Sequence, residues 1–159
     1  MKTLKIFIAL LFLSYAAQAQ FTKAELQVSG LTCSMCSKAT EKSLRTLNFI
    51  GDIKVDLNRN VFVITFKKDA QVNIGLISKK VENAGFFVNS LKATFNFDNV
   101  KLDNNSFSYG GDTFHVLNSN SQPLTGSQTL TVVDKGFAPA SVYKKYKTGA
   151  DGKGYHVVI

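Results

Sequence analysis

The sequence predicts an α+β protein, with a βαββαβ unit at its N-terminal end and a small all-β unit after it. First, between residues 21 and 91, segments with the two-residue period of a strand alternate along the chain with segments that have a helical period. Second, short aromatic and β-branched runs follow from residue 92, separated by Asn, Asp, Ser and Gly clusters. Third, the only two cysteines of the chain lie in the first strand-to-helix loop.

Residues 1–19 are predicted to be a cleaved secretory signal. Two lysines precede an apolar run over residues 6–13, and Ala17-Gln18-Ala19 has the small-residue form that signal peptidase recognises. The run is shorter than the roughly 20 residues that a permanent membrane helix needs, although an uncleaved anchor is the alternative. Such a signal would direct the protein to a periplasmic or extracellular location. Its cleavage would leave Gln20 as the first residue.

Basic residues outnumber acidic ones after this cleavage. Loss of the two leader lysines leaves 17 basic and 11 acidic residues, a net charge of +6. Such a charge suits an acidic partner, an anionic membrane face or nucleic acid. An exported protein seldom meets nucleic acid, so we expect no nucleic-acid partner, and we expect no stable membrane span once the leader is removed.

Six elements are predicted in the N-terminal domain, residues 20–91. In order they are strand "AELQVSG", helix "SMCSKATEKSLRTLN", strands "DIKVDLN" and "VFVITF", a helix over residues 72–84 and strand "FFVNSL". Ile74, Ile77 and Val81 show the helical period of the second helix, which Asn73 is predicted to cap and Gly85 to end. This order, in under 70 residues, is the split βαβ or ferredoxin-like arrangement, with two helices on one face of a four-stranded antiparallel sheet.

Residues 92–159 are predicted to form a small antiparallel β domain. Its five strand-like runs are "ATFNFDNV", "SFSYGG", "TFHVLN", "SQTLTVVD" and "GYHVVI", with a short helix or turn at "APASVYKKYK" before the last of them. Their number and length favour a compact barrel or sandwich, similar in size to an OB-fold. The two domains are expected to abut, because no longer linker separates them.

Cys33 and Cys36 are the candidate functional residues. A disulfide between them would close a very short loop and so would constrain the unfolded chain little. Thiolates are soft ligands for Cu(I), Zn(II), Cd(II) and Hg(II), and two of them satisfy linear Cu(I) or Hg(II) but leave zinc short of four. The start of the following helix favours the thiolate form.

The stretch Gly30-Leu31-Thr32-Cys33-Ser34-Met35-Cys36 resembles the heavy-metal-associated domain of copper chaperones, of the N-terminal modules of copper-pumping ATPases and of the exported mercury scavenger. The resemblance covers about residues 25–91. It implies that Cys33 and Cys36 are the metal ligands, that Cu(I) is the commonest cargo, and that a metal-donor or metal-acceptor protein such as a copper-transporting ATPase is the partner. Leu31 stands where the family has Met, as an apolar substitute.

Other readings remain for these and for neighbouring residues. An exported Cys-x-x-Cys pair also suits a thiol-disulfide redox protein, but the chain has no Trp near it and both prolines lie in the C-terminal domain.

Lys38, Lys42 and Arg45 form a basic helix face that suits either solvent or an acidic partner. His115 and His156 are expected to be ordinary strand residues, unless the fold brings them together as a second site. The sequence holds no recognisable catalytic set, so no enzyme activity is expected.

Overall fold

The computed structural model describes residues 19–119, 122–146 and 153–159. The predicted signal peptide therefore lies outside the described residues, except for Ala19. The bounds of the elements are β1 Ala19–Ser29, α1 Ser34–Leu44, β2 Ile50–Asp56, β3 Val61–Phe66, α2 Ile74–Asn83, β4 Phe87–Val100, β5 Ser106–Tyr109, β6 Asp112–Val116, β7 Leu124–Val132, α3 Ala140–Tyr146 and β8 Tyr155–Val158. No helix in the described part of the chain is long and apolar enough to cross a membrane.

The N-terminal unit has the predicted βαββαβ order. Its four strands form the antiparallel run β2-β3-β1-β4, so that β1 pairs with β3 on one side and with β4 on the other. Both helices turn a small buried face inward, and apolar strand residues of the sheet are buried with them in one core cluster. Burial of this apolar surface stabilises the arrangement because it removes the surface from water.

Strand β4 is twice as long as the sequence indicated. The runs "FFVNSL" and "ATFNFDNV" were expected to end one domain and to begin another, but they form one strand of 14 residues. Leu91 pairs with Leu26 of β1 on one edge and with Val132 of β7 on the other. The expected boundary between residues 91 and 92 thus falls inside a strand that both halves share, and the division into two domains stays a prediction.

The C-terminal strands continue the same sheet in the order β4-β7-β8-β6-β5. The expectation of a purely antiparallel barrel or sandwich is wrong at one pair, because β6 and β8 are parallel. Strand β8 inserts between β7 and β6 after α3, and an alternating apolar pattern is the same for parallel and antiparallel neighbours. The short helix expected before the last strand is present as α3, so this half is not purely β.

An aromatic cluster joins the two halves of the sheet. Phe95 of β4 is fully buried, and its ring lies 4.5 Å from Phe21 of β1 and 5.5 Å from Phe114 of β6, measured between ring centroids. Phe97, Phe107 and Tyr109 complete the contacts. This core fixes β1, and the end of β1 carries the cysteine loop.

Candidate metal centre

The cysteine loop begins where β1 ends, at a glycine that the backbone requires. Gly30 has a φ of +87°, a conformation that a side chain would strain. A Cβ at this position would also lie 3.5 Å from the ring of Phe86. Leu31 then turns inward and joins the core cluster at 8% exposure. The leucine therefore anchors the loop to the core, as expected of an apolar substitute at this position.

Cys33 is itself the cap of helix α1. It has an extended backbone, and its Sγ accepts a hydrogen bond from the backbone N–H of Cys36 over 3.3 Å. The sequence predicted a helix that begins at Ser34, and α1 begins there, with Cys33 at the cap and Cys36 inside the first turn. Both sulfurs consequently lie at the positive end of the helix, where unpaired N–H groups favour an anionic ligand or side chain.

The two thiols are free and adjacent. Their Sγ atoms lie 2.6 Å apart, Cys33 is exposed, and Cys36 is half-buried against the core. Hydrogen bonds from Cys36, first from its thiol and then from its backbone N–H, hold the pKa of Cys33 below its ordinary value. No acidic residue occupies the first turn of α1 to oppose this effect. The thiolate form, which binds metal ions, is thereby favoured.

The loop must open slightly to admit an ion. A metal–sulfur bond of about 2.3 Å requires the two sulfurs to stand about 3.8 Å apart at a tetrahedral angle and about 4.6 Å apart in a linear complex. The exposed Cys33 is free to move outward by that difference. Among the described residues, no group of three or more His, Cys, Asp or Glu side chains that could hold a metal ion is present. The candidate donors of the loop are the thiols of Cys33 and Cys36.

Apolar and basic side chains surround the loop. Met35 and Phe87 are each 70% exposed, and Phe87 is tied to the end of β1, where Ser29 donates to its carbonyl oxygen over 3.2 Å. Met35 lies between the two cysteines in the sequence, and the sequence predicted Phe87 only as part of a strand. We call Met35 and Phe87 the apolar rim of the site.

The basic face of α1 is smaller than the sequence suggested. The guanidinium of Arg45 forms an ion pair with Glu41 at 2.8 Å and donates to the carbonyl oxygen of Ile53 at 3.0 Å. Its charge is therefore already paired within the chain. Lys38 and Lys42 are exposed, and neither has an ion-pair partner in the described part of the chain. These two lysines are the cations available to an approaching protein.

The histidines lie far along the sheet from the cysteines in strand order. The structure brings His115 of β6 and His156 of β8 side by side, although the sequence gave no sign that their strands are neighbours. Neither histidine contacts a cysteine among the described hydrogen bonds.

The βαββαβ unit with two free thiols on its first loop is the part of the chain that a known family model matches. Residues 25–87 match the model of the heavy-metal-associated domain. The match runs from within β1 to the first residue of β4 and excludes the C-terminal strands.

Curated relatives match about two fifths of the chain. The chain is 32% identical over 66 residues to a copper-transporting ATPase of Helicobacter felis, over 41% of this chain and 9% of that protein. It is 35% identical over 65 residues to the probable copper-transporting ATPase HMA5 of Arabidopsis thaliana, over 41% of this chain and 6% of that protein. The chain thus spans less than a tenth of the length of these relatives. The solution structure of the yeast copper transporter domain Ccc2a is 27% identical, with 42% of this chain and 90% of that chain covered and a TM-score of 0.38.

Proposed function

We propose that the protein captures Cu(I) through Cys33 and Cys36 and then transfers or buffers it, as an exported metal carrier and not as an enzyme. The observation that carries this proposal is the pair of free thiols at the start of α1, with one sulfur exposed and no third ligand among the described residues. Two thiolates complete the coordination of a linear soft cation, whereas zinc in a structural site takes four ligands.

Transfer follows from the openness of the same site. Because Cys33 is exposed, a thiol of an acceptor protein can reach the ion and bind it before Cys33 or Cys36 lets go. The intermediate then carries three sulfurs, and the ion never becomes free. The apolar rim would exclude water around it, and Lys38 and Lys42 would attract an acidic acceptor. A copper-transporting ATPase or another metal carrier with paired cysteines is the partner that fits this chemistry.

A competitive Cu(I) titration tests the proposal. The protein is reduced, kept free of oxygen and titrated against a chromophoric Cu(I) chelator. We expect one equivalent of Cu(I) per chain, and none bound with comparable affinity in the Cys33→Ser/Cys36→Ser variant. Preferential uptake of Hg(II), Cd(II) or Zn(II) under the same competition would identify a scavenger of that ion in place of a copper carrier.

Thiol-disulfide chemistry is the second candidate, and the short distance between the sulfurs favours it. Two thiols 2.6 Å apart, one with a lowered pKa, also suit exchange with a client disulfide. Metal-free protein that reduces a client disulfide or oxidises a client dithiol over many turnovers, with a small thiol or disulfide to regenerate it, while binding no Cu(I) in the titration, would replace the carrier proposal with this one.

The proposed export has a separate test. Expression in a host with a secretory pathway, followed by intact-mass measurement, should give a chain that begins at Gln20. A chain that retains residues 1–19 and stays with the membrane fraction would favour the uncleaved anchor.

A further inference from the structure

A second pair of metal donors lies in the C-terminal half of the sheet. His115 and His156 occupy directly paired positions on the parallel strands β6 and β8. Their rings are stacked with centroids 5.2 Å apart and an angle of 22° between the planes. In each ring Nδ1 contacts a neighbouring side chain, and Nε2 is the candidate donor to a metal ion.

His156 is fixed in one orientation by a carboxylate. The residue is 5% exposed, and its Nδ1 lies 2.8 Å from Oδ1 of Asp134. The other carboxylate oxygen, Oδ2, accepts the backbone N–H of the same histidine at 2.6 Å. A carboxylate can only accept, so Nδ1 carries the hydrogen and Nε2 of the neutral ring presents a lone pair. Nε2 has no hydrogen-bond partner among the described residues.

His115 differs from His156, because both of its ring nitrogens have a partner. Its Nδ1 lies 2.7 Å from the hydroxyl of Ser106, and its Nε2 lies 3.3 Å from the carbonyl oxygen of Lys153, which can only accept and so takes the hydrogen of Nε2. Binding of a cation at Nε2 requires the other tautomer, in which Nδ1 donates to the Ser106 hydroxyl and that hydroxyl donates to the carbonyl oxygen of Asn104 over 3.1 Å. A cation bound at Nε2 would then stand near the Lys153 carbonyl, which is an additional oxygen ligand.

We propose that His115 and His156, with the Lys153 carbonyl beside them, form a second metal site that takes a divalent first-row cation, Cu(II) above all. Imidazole suits Cu(II) and Zn(II), and Cu(II) binds most tightly to nitrogen and oxygen donors among the divalent first-row ions. The pairing of each ligand ring with an outer hydrogen-bond partner is the arrangement by which proteins orient metal-ligating histidines.

One ring must turn for the two to share an ion, because each lone pair lies in the plane of its ring and the two rings are stacked. Metal–nitrogen bonds of about 2.0 Å place the two Nε2 atoms about 3 to 4 Å apart. His156 is held by Asp134, so the half-buried His115 is the ring that would turn. This site differs in chemistry from the thiol pair, which prefers Cu(I), so the chain would hold copper in two oxidation states at two places.

Nuclear magnetic resonance with Zn(II) tests the site directly. The Cys33→Ser/Cys36→Ser chain is labelled with nitrogen-15 and titrated with Zn(II), so that the thiols do not compete. Because His115 and His156 are the only histidines in the sequence, the imidazole signals report on these two residues alone. We expect both Nε2 signals to shift together and to saturate at one equivalent.

Cu(II) titrations of the same chain supply the affinity and the ligand set. Electron paramagnetic resonance should show coupling to two nitrogens, and competition with glycine should give the affinity. We expect His115→Gln to abolish the two-nitrogen signal. Asp134→Asn should keep that signal but weaken the affinity by about 10- to 100-fold, as for other outer partners of ligating histidines. A merely structural Asp134 would leave the Cu(II) affinity unchanged.

Two outcomes would overturn the proposal. The first is an imidazole spectrum in which Zn(II) shifts neither ring or only one of them. The second is a Cu(II) affinity that His115→Gln leaves unchanged, which would place the ion elsewhere, for example at the terminal amine. His115 is only half-buried, so His115→Gln is expected to fold, and circular dichroism checks this. Neither result bears on Cu(I) uptake by Cys33 and Cys36, which is measured separately.

Discussion

The sulfur of Cys33 caps a helix and is also a candidate metal ligand. Side-chain oxygens of Ser, Thr, Asp or Asn normally accept the free N–H groups at a helix start, and here a sulfur takes that role for Cys36. The hydrogen bond stabilises a negative sulfur more than a neutral one. The helix start therefore prepares the thiolate before any ion arrives.

The thiol of Cys36 should be the main cause of the lowered pKa of Cys33, and the Cys36→Ala variant tests this. The substitution removes the largest cause of the lowered pKa but keeps the backbone N–H at residue 36. The pKa of Cys33 should therefore rise toward its ordinary value, although not completely. Only the thiolate reacts with iodoacetamide. The curve of Cys33 alkylation rate against pH should therefore lie at higher pH in Cys36→Ala than in the parent chain.

Two comparisons make this measurement decisive. Cys36→Ser keeps a donor beside Cys33 and should move the curve less than Cys36→Ala. Equal midpoints for the parent chain and Cys36→Ala would show that the helix start alone sets the pKa.

Sequence reasoning worked well for these residues where the pattern was local. Spacing and the preceding glycine located the cysteine pair, and the resemblance to the heavy-metal-associated family placed Leu31 inward as a substitute for Met. The pairing of Arg45 with the carbonyl oxygen of Ile53, and of His156 with Asp134, depends on which elements become neighbours in space. No pattern within one segment carries that information.

At the scale of elements, helix α1 presents a polarised surface. Its cap carries the thiols, and one of its faces carries Lys38 and Lys42 without described partners, while Arg45 is held by Glu41. Long-range attraction between such a face and an acidic acceptor raises the rate of encounter more than the final affinity.

Charge reversal at Lys38 and Lys42 should therefore slow copper transfer. We expect Lys38→Glu/Lys42→Glu to lower the association rate with a copper-transporting ATPase domain by about 10-fold or more at low salt. The affinity for Cu(I) should stay the same. Stopped-flow transfer kinetics measured over a range of ionic strength would show the effect fading as salt increases.

Lys67→Glu/Lys68→Glu is the matched control. It changes the net charge by the same amount at exposed positions after β3, at the end of that strand remote from the loop. Equal slowing by both double variants would mean that net charge, and not the α1 face, governs the encounter.

Helix α2 depends on one polar cap. Oδ1 of Asn73 accepts the backbone N–H of Leu76 over 3.0 Å, as the sequence predicted. Asn73→Ala should lower the free energy of unfolding by about 1 kcal/mol, measured by urea denaturation of the metal-free protein. Asn73→Asp can still accept and should cost less. A loss below about 0.3 kcal/mol for Asn73→Ala would show that packing of Ile74, Ile77 and Val81 defines the helix without the cap.

The elements differ in how far their sequence revealed them. Asn73 and Gly85 marked the ends of α2 correctly, because caps act within a few residues. The alternating runs located most strands to within a few residues. They did not reveal that Leu91 lies in mid-strand or that β8 enters beside β6, because strand pairing is decided by contacts distant in sequence.

At the scale of the whole molecule, the two halves share more than β4. Ser78 of α2 donates to the carbonyl oxygen of Gly136 over 3.0 Å. The hydroxyl of Tyr109 donates to the carbonyl oxygen of Ala70 and accepts the N–H of Val72. These bonds join the N-terminal βαββαβ unit to the C-terminal strands on its helical side. The C-terminal half therefore covers the β4 edge and part of α2, and leaves the α1 side with the cysteine loop open to partners.

A shared strand and a shared aromatic cluster favour one cooperative unfolding transition, and Phe114→Ala tests this. Phe114 lies in β6 and packs on Phe95 in the common core, so its removal should cost about 3 to 5 kcal/mol. In a single cooperative unit, that loss should reach β2 and β3 at the other end of the sheet and speed the hydrogen exchange of their most protected amides. Tyrosine fluorescence, which arises only from the C-terminal half among the described residues, should follow the same urea curve as circular dichroism. If exchange in β2 and β3 is unchanged and the two curves separate, residues 20–91 and 92–159 are independent domains despite their common strand.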